Sequence, residues 1–445
     1  MSYKSELQKM FDLQKFGMKF GLEGMGSILA KLGNPHQGRK FVHLAGTNGK
    51  GSVGVMLQSI LNEAGYKVGF YTSPHLITFR ERIRIGEEMI SEDEVLSLSR
   101  RVWAATDPES PPTFFEFVTA MAFLHFAEKE VDLAIIEAGL GGRLDSTNVI
   151  EPLATVITNV ALEHTEHLGD TVAKIAAEKA GIIKPGVIVV AGQLTPEARE
   201  VVLKTAEEKN SLPLLLGRDF TVETTLRDPA GRPTINYRMG PLKFDDLALG
   251  LAGPHQADNA AVAISLLPYL ADRGFPTEEN HLRSGLLHAV WPGRAETFPA
   301  GSWPPEETKA AAPLMLDGAH NPAGAEALAR LLAGLDTRRL HLIVGVMADK
   351  DIAGVLGPTL GLADRLYLTR PAFNRAASPE LLRDKIVAAF GPPKVPTSLH
   401  PTIAEAFRAA ADEAGEGDLV LLSGSLFTVG EGRAYLQGIS EVESN

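Results

Sequence analysis

His43-Leu-Ala-Gly-Thr-Asn-Gly-Lys-Gly-Ser52 is the stretch that sets the architecture. A short apolar run, residues 41–45, precedes its glycines, and a helical period, residues 53–64, follows them. Buried strand, glycine turn, helix: this order opens a phosphate-binding α/β unit. Glycines let backbone N–H groups face a polyphosphate, and the helix start adds a favourable dipole. Lys50 is placed to reach β- and γ-phosphates, and Ser52 to meet Mg²⁺. The strict pattern G-x-x-x-x-G-K-[ST] is not met, because Leu44 replaces the first glycine and Gly51 separates Lys50 from Ser52. A plain tight turn is the alternative. The coincidence of lysine, hydroxyl and strand-loop-helix context argues against it.

The same texture continues outward. Runs 67–71, 131–136, 154–160 and 187–191 read as further continuous apolar strands with helical segments between them. That alternation indicates a parallel sheet covered on both faces. Residues 219–249 change character, with alternating runs at 220–225 and 234–238 around the turn Asp228-Pro-Ala-Gly-Arg-Pro233. They read as a small β-rich appendage to the first domain. Residues 253–267 are helical. Residues 298–313, which carry Pro, Gly, Ser and a small charged patch, read as a connector or surface hairpin near a domain boundary. A second α/β alternation follows, with strands expected at 314–317, 340–346, 365–369 and 418–423. The fold class is α/β: a P-loop ATPase domain over 1–297, with a parallel central sheet and the appendage, then a Rossmann-like α/β domain over 298–445.

Composition narrows the chemistry. The chain has 445 residues, 44% hydrophobic and 22% charged, which suits two or three domains. Net charge is −12 and no Lys/Arg cluster offers a grip on nucleic acid, so no such partner is expected. The absence of cysteine excludes disulfides, thiolate catalysis and Cys-based zinc sites. Residues 1–13 alternate charged and apolar side chains, unlike a signal peptide, and no run approaches the roughly 20 apolar residues of a membrane helix. A cytoplasmic monomer without membrane association is expected.

Three further segments carry polar chemistry. In Ile135-Ile-Glu-Ala-Gly-Leu-Gly-Gly-Arg-Leu-Asp-Ser-Thr-Asn148, Glu137 stands where a buried strand ends. Ligands of open α/β sheets collect outside the carboxyl ends of strands, and a carboxylate there can hold a hard cation beside phosphates. The alternative is a turn acid capping the next segment. His164 and His167 follow another strand; spacing alone leaves both as surface or core histidines, and the strand-end position favours His164. In Glu178-Lys-Ala-Gly-Ile182, spacing alone makes Lys179 a helix lysine and Gly181 a C-cap.

The loop Gly46-Thr-Asn-Gly-Lys-Gly-Ser52 resembles that of the Mur ligase superfamily, and the ordered set of motifs is similar to the folylpolyglutamate/dihydrofolate synthase family. The selective pieces include Thr72-Ser-Pro-His-Leu76, Phe79-Arg-Glu-Arg-Ile83, Thr113-Phe-Phe-Glu116, Gly253-Pro-His-Gln-Ala-Asp-Asn259, Trp291-Pro-Gly-Arg294, Leu316-Asp-Gly-Ala-His-Asn-Pro322 and Asp349-Lys-Asp351. The resemblance covers nearly the whole chain. It implies a Mur-ligase-type ATPase domain, a C-terminal glutamate-ligase domain, and ATP-dependent joining of L-glutamate to dihydropteroate or a reduced folate. It implies that Gly49, Lys50, Gly51, Ser52, Asn259, Arg294 and Asp317 contact ATP. Ser73, Glu137 and His164 would ligate Mg²⁺, with two ions expected and Mn²⁺ an alternative. Lys179 would be carbamylated. Thr113, Phe114, Phe115, Glu116, Leu144, Asp145 and Ser146 would line the pterin pocket. His320, as a catalytic group with Lys50 and Lys179, and Ser425 would serve the glutamate side. Asp317, as a strand-end acid facing a cleft, is expected to support little packing. Glu163 stands where the family usually has Asp. Other readings are a peptidoglycan ligase, which needs a UDP-sugar pocket, a regulatory ATPase without ligation, and a structural protein with a vestigial site.

Overall fold

The computed structural model describes residues 2–17, 21–304 and 310–443. Met1 and residues 305–309, inside the expected connector, lie outside the described residues. The first unit contributes β1 (Phe41–Ala45), β2 (Val68–Tyr71), β3 (Ile83–Ile85), β4 (Glu88–Met89), β5 (Leu133–Glu137), β6 (Ala154–Ile157), β7 (Ile188–Ala191) and β8 (Pro213–Leu215). They form one eight-stranded sheet in the order β4-β3-β2-β5-β1-β6-β7-β8. The run from β2 to β8 is parallel; β3 and β4 are antiparallel additions.

Every residue of β1, β2, β5, β6 and β7 is buried, which is why these strands read as continuous apolar runs. Leu44 packs with Val53, Leu57 and Ile264 from the helices Lys50–Glu63 and His255–Ala271. Phe41 packs with Phe117, Met121 and Phe123 from the helix Phe114–Glu128. Full burial of such a side chain stabilises by about 1.5–3 kcal/mol. The order in which strands are added switches sides at β1, with β2 and β5 on one side and β6, β7 and β8 on the other. This switch point opens a crevice at the carboxyl ends of β1, β5 and β6.

The appendage has three strands, β9 (Thr221–Arg227), β10 (Pro233–Met239) and β11 (Leu242–Ala248), antiparallel in the order β11-β10-β9. Pro233, Ile235 and Tyr237 of β10 are buried in alternation, as the period of two requires. It is more than an annex of the first unit. A Cβ at Gly231 would meet Leu331 at 2.4 Å, so the 228–232 turn presses on the helix Pro322–Leu332 of the second unit.

The second sheet contains β12 (Glu296–Phe298), β13 (Leu314–Asp317), β14 (Leu340–Val344), β15 (Arg365–Leu368), β16 (Thr397–Leu399) and β17 (Leu419–Ser423). Its order is β12-β13-β17-β14-β15-β16, parallel except for β12. Because β12 pairs with β13, the expected division at 297/298 falls inside the first strand of this sheet. The connector is not purely a surface excursion. Trp303 is fully buried against Phe407, ring centroids 5.8 Å apart, and its indole N–H donates to the Ala312 carbonyl at 2.8 Å. The two units are also tied at a distance from the crevice. The Glu443 carboxylate accepts from Phe79 N–H (2.7 Å), the Thr78 hydroxyl (2.8 Å) and the Tyr3 hydroxyl (3.0 Å).

Candidate active site

The phosphate loop sits at the switch point. Gly49 has φ 84°, the left-handed region that caps the helix Lys50–Glu63, so the helix starts three residues before the periodic apolar run. Glycine is required there twice over, since an added Cβ would lie 2.5 Å from Asn259 Oδ1. That brings Asn259, on the helix His255–Ala271, directly onto the loop. The loop is moored to the exit of β6: Asn48 N–H donates to Asn159 Oδ1 (2.9 Å), and Thr158 Oγ1 donates to the Asn48 carbonyl (2.5 Å).

Lys50 Nζ donates to the carbonyl of Gly46 (3.0 Å) and lies 3.6 Å from Glu137 Oε1. Glu137 is the last residue of β5, 5% exposed, and its Oε2 accepts from the Thr72 hydroxyl. Ser73, the hydroxyl residue expected to meet a metal, follows Thr72 in the chain. Among the described residues no three His, Asp or Glu side chains form a metal cluster by themselves. The donors nevertheless fit magnesium, which usually takes one or two protein carboxylates and completes its shell with phosphate oxygens and water. His164 is exposed, in a left-handed turn with φ 51° after β6.

Lys179 lies near the end of the helix Val172–Ala180, only 4% exposed. Burial, reinforced by the Lys50 ammonium, pushes its amine down to about 7, against the opposing pull of Glu163 and Asp145. A lysine neutral near physiological pH can react with CO₂ as an ordinary lysine does not.

The second unit reaches this crevice through the carboxyl end of β13. Asp317 is buried, and its two oxygens accept from Ala295 N–H and Ala319 N–H, both at 2.9 Å. Burial raises its pKa, partly offset by Arg294. Asp317 therefore fixes the backbone on either side of Gly318 and beside Arg294. Its structural load is heavier than a strand-end acid suggests, because Ala295 is held at φ 49°. His320 Nδ1 donates to the Gly318 carbonyl (2.9 Å) while Nε2 faces Glu163 Oε1 at 3.5 Å. Burial alone would raise the Glu163 carboxyl; hydrogen bonds from His320 and Asn321 outweigh it and hold the group at about 2.

Other expected residues stand nearby with their polar atoms engaged. Thr113 and Glu116 form a reciprocal capping box at the start of Phe114–Glu128, with Glu116 Oε2 accepting from Thr113 N–H at 2.8 Å. Phe115 presents its ring to Tyr71, 5.9 Å between centroids, and Phe114 packs on Phe11 and Phe79. Asp145 accepts from Leu140 N–H (2.8 Å) and Thr147 N–H (3.0 Å), which shapes the 140–147 turn holding Leu144 and Ser146. Ser425 caps the helix Leu426–Leu436, accepting from Thr428 N–H at 3.0 Å, so its hydroxyl is committed to the turn. Asn48, Thr72, Asn159 and Asn321 complete the crevice and were not singled out by the sequence. Asn48, Thr72 and Asn321 lie inside quoted motifs, beside the residues that were.

Both halves of the chain match the Mur-type ligases: residues 44–267 match the Mur ligase middle domain and 306–426 the Mur ligase glutamate ligase domain. Dihydrofolate synthase/folylpolyglutamate synthase of Bacillus subtilis is 36% identical over 434 residues, covering 95% of this chain and 96% of that one. The structure of E. coli FolC in complex with DHPP and ADP is 30% identical, with TM-score 0.86 over 98% of each chain. A probable bifunctional folylpolyglutamate synthase/dihydropteroate synthase of Halobacterium salinarum is 35% identical, and this chain spans 51% of its length. The chain belongs to the dihydrofolate synthase/folylpolyglutamate synthase family.

Proposed function

We propose that this chain joins L-glutamate to the carboxylate of dihydropteroate and of reduced folates, with ATP as the activating substrate. The observation that carries the reading is a crevice in which Lys50 and Glu137 of the first unit stand 3.6 Å apart while His320 of the second unit reaches Glu163 of the first at 3.5 Å and Asn321 hydrogen-bonds Asn48. A carboxylate is a poor acylating agent because it is already an anion. Its oxygen attacks the γ-phosphorus, ADP departs, and the acyl phosphate gains a good leaving group. The glutamate nitrogen then attacks the carbonyl carbon, loses a proton, and phosphate leaves.

The chain's own residues serve that sequence as follows. Gly49 to Ser52 cradle phosphates with backbone N–H groups, and Lys50 and Arg294 oppose the charge of the polyphosphate. Asn259 and Asp317 border the nucleotide. Ser73, Glu137 and His164 would hold Mg²⁺, which supplies charge neutralisation when bound. Lys179, as a carbamate, would add an anionic ligand for a second ion; Mn²⁺ would suit the same donors. Phe114, Phe115, Leu144 and Ser146 shape the pterin side, with Thr113, Glu116 and Asp145 fixing the backbone there. His320 and Ser425 belong to the glutamate side. The first unit binds ATP and the second, from β12 onward, presents glutamate, in a monomer with no nucleic-acid or membrane partner. No helix among the described residues is long and apolar enough to cross a membrane.

The test is purified protein with ATP, glutamate and each acceptor in turn, with the product mass measured. One added glutamyl unit per ADP is expected. ADP release without an amide product would replace this reading with a nucleotide-binding ATPase.

A further inference from the structure

Asn321 lies on the second unit at the first turn of the helix Pro322–Leu332, 6% exposed. Its amide makes four hydrogen bonds, the most this side chain normally uses. Oδ1 accepts from Gly324 N–H (2.8 Å) and from Asn48 Nδ2 (3.2 Å). Nδ2 donates to Asn48 Oδ1 (3.1 Å) and to Glu163 Oε1 (2.8 Å). Two partners fix its orientation chemically. A backbone N–H can only donate, and an ionised Glu163 can only accept, so the oxygen must face Gly324 and the nitrogen Glu163. That orientation dictates which way Asn48 turns.

Asn48 immediately precedes Gly49, the cap of the phosphate-loop helix, and its main chain is pinned to Thr158 and Asn159. The loop that receives phosphate is thus read on one side by its own sheet and on the other by a single side chain of the opposite unit. Glu163, the third member, adjoins His164 in sequence and faces His320. The contacts of Asn321 with Asn48 and Glu163, and of His320 with Glu163, cross the crevice, so they exist only when the two units stand in this relative position.

We infer that Asn321 is the positioning residue through which the second unit registers its closure on the phosphate loop. The inference rests on the ligase reading for its consequence, but its geometry can be tested without turnover. Asparagine is chemically specific here. Asn321→Asp is nearly isosteric, yet it places a second carboxylate against Glu163 and against Asn48 Oδ1. Like charges set opposite each other across an interface are strongly unfavourable. Adding Glu163→Gln reverses donor and acceptor there and restores that pair with the original net charge, leaving only the bond to Asn48 Oδ1 unmade.

The natural chain contains no cysteine, so two engineered ones can be labelled without background. Exposed Glu200 on the first unit and Lys394 on the second serve as Glu200→Cys and Lys394→Cys. Energy transfer between dyes then reads the separation of the units with an ATP analogue present. The expected result for Asn321→Asp is a shift of the closed-to-open ratio on the order of 30-fold toward open, recovered in part in the Asn321→Asp/Glu163→Gln double variant, which restores the Glu163 pair but not the Asn48 Oδ1 bond. The apparent dissociation constant for the ATP analogue should rise with the open fraction while the melting temperature is kept, because only the closed state completes the site. A merely structural role would lower the melting temperature and leave the affinity of the folded fraction unchanged. Unchanged transfer and affinity in Asn321→Asp, or no recovery in the double variant, would overturn the inference. Failure of the ligase reading would show instead as absence of amide product from the unsubstituted chain, whatever the dyes report.

Discussion

Lys179 is the residue whose chemistry can be dialled by solution conditions. Its amine sits at about 7 rather than 10.5, chiefly through burial and then through Lys50. At pH near 7.5 roughly three-quarters of such amines are neutral, whereas an ordinary lysine keeps about one in a thousand. Only the neutral amine adds to CO₂: an N–C bond forms, a proton leaves, and a buried cation becomes an anion. Retaining the ammonium in this place costs on the order of 5 kcal/mol. The folded value lies below the unfolded one, so the unfolded chain binds more protons between about 7 and 10.5. Stability of the uncarbamylated protein therefore rises with pH through that window, and the full cost is felt below about 7. The assay is ligation in CO₂-stripped buffer at about pH 6.5, then with ¹³C-bicarbonate restored, while the carbamate carbon is followed by NMR. Activity should collapse on stripping and return with bicarbonate, and Lys179→Ala should be low in both. Undiminished ligation without CO₂, with no carbamate resonance after bicarbonate is added, would refute the reasoning.

Three further outcomes follow from the geometry. Glu137→Gln keeps the Thr72 contact but removes the charge beside Lys50, so ligation should fall by orders of magnitude, and kinetics across a magnesium titration check it; wild-type behaviour at ordinary Mg²⁺ would exclude the metal role. Gly49→Ala forces a side chain into φ 84° and against Asn259, so nucleotide affinity measured by calorimetry should be lost while circular dichroism stays native. Asp317→Ala leaves two buried N–H groups without acceptors, and at about 1–3 kcal/mol each the denaturant midpoint should drop measurably along with nucleotide use; an unchanged midpoint would restore the view of Asp317 as a pure ligand residue.

Much of the fold was legible because its periods are strong. The run at 187–191 is apolar throughout, and 41–45 and 154–157 each carry one polar side chain, His43 and Thr155, the pattern of strands buried on both faces. Short edge strands such as β4 and β16 escaped, since two or three residues without an apolar pattern are indistinguishable from loop. Strand β12 escaped for a similar reason, and the expected boundary consequently cut through it. Residues 298–313 read as a connector or surface hairpin because four prolines, a glycine, a serine and a small charged patch interrupt any apolar period. One tryptophan, Trp303, anchors it in the core, and composition averages out a single anchor.

Sequence alone determined the local chemistry: a glycine loop ending in Lys50 and Ser52, a carboxylate at the end of β5, and a second α/β unit led by Asp317. These are decided within a few residues, where glycine conformation, strand burial and helix starts are set by neighbours in the chain. Tertiary structure decided what each polar group faces. The pairing of Asn48 with Asn321 spans 273 positions, and that of Glu163 with Asn321 spans 158. Lys179 is an ordinary helix lysine until folding removes water from it and brings Lys50 close. Burial and long-range charge are properties of packing, and so the depressed amine, the engaged Asp317 and the bridge across the crevice emerge only when both sheets are in place.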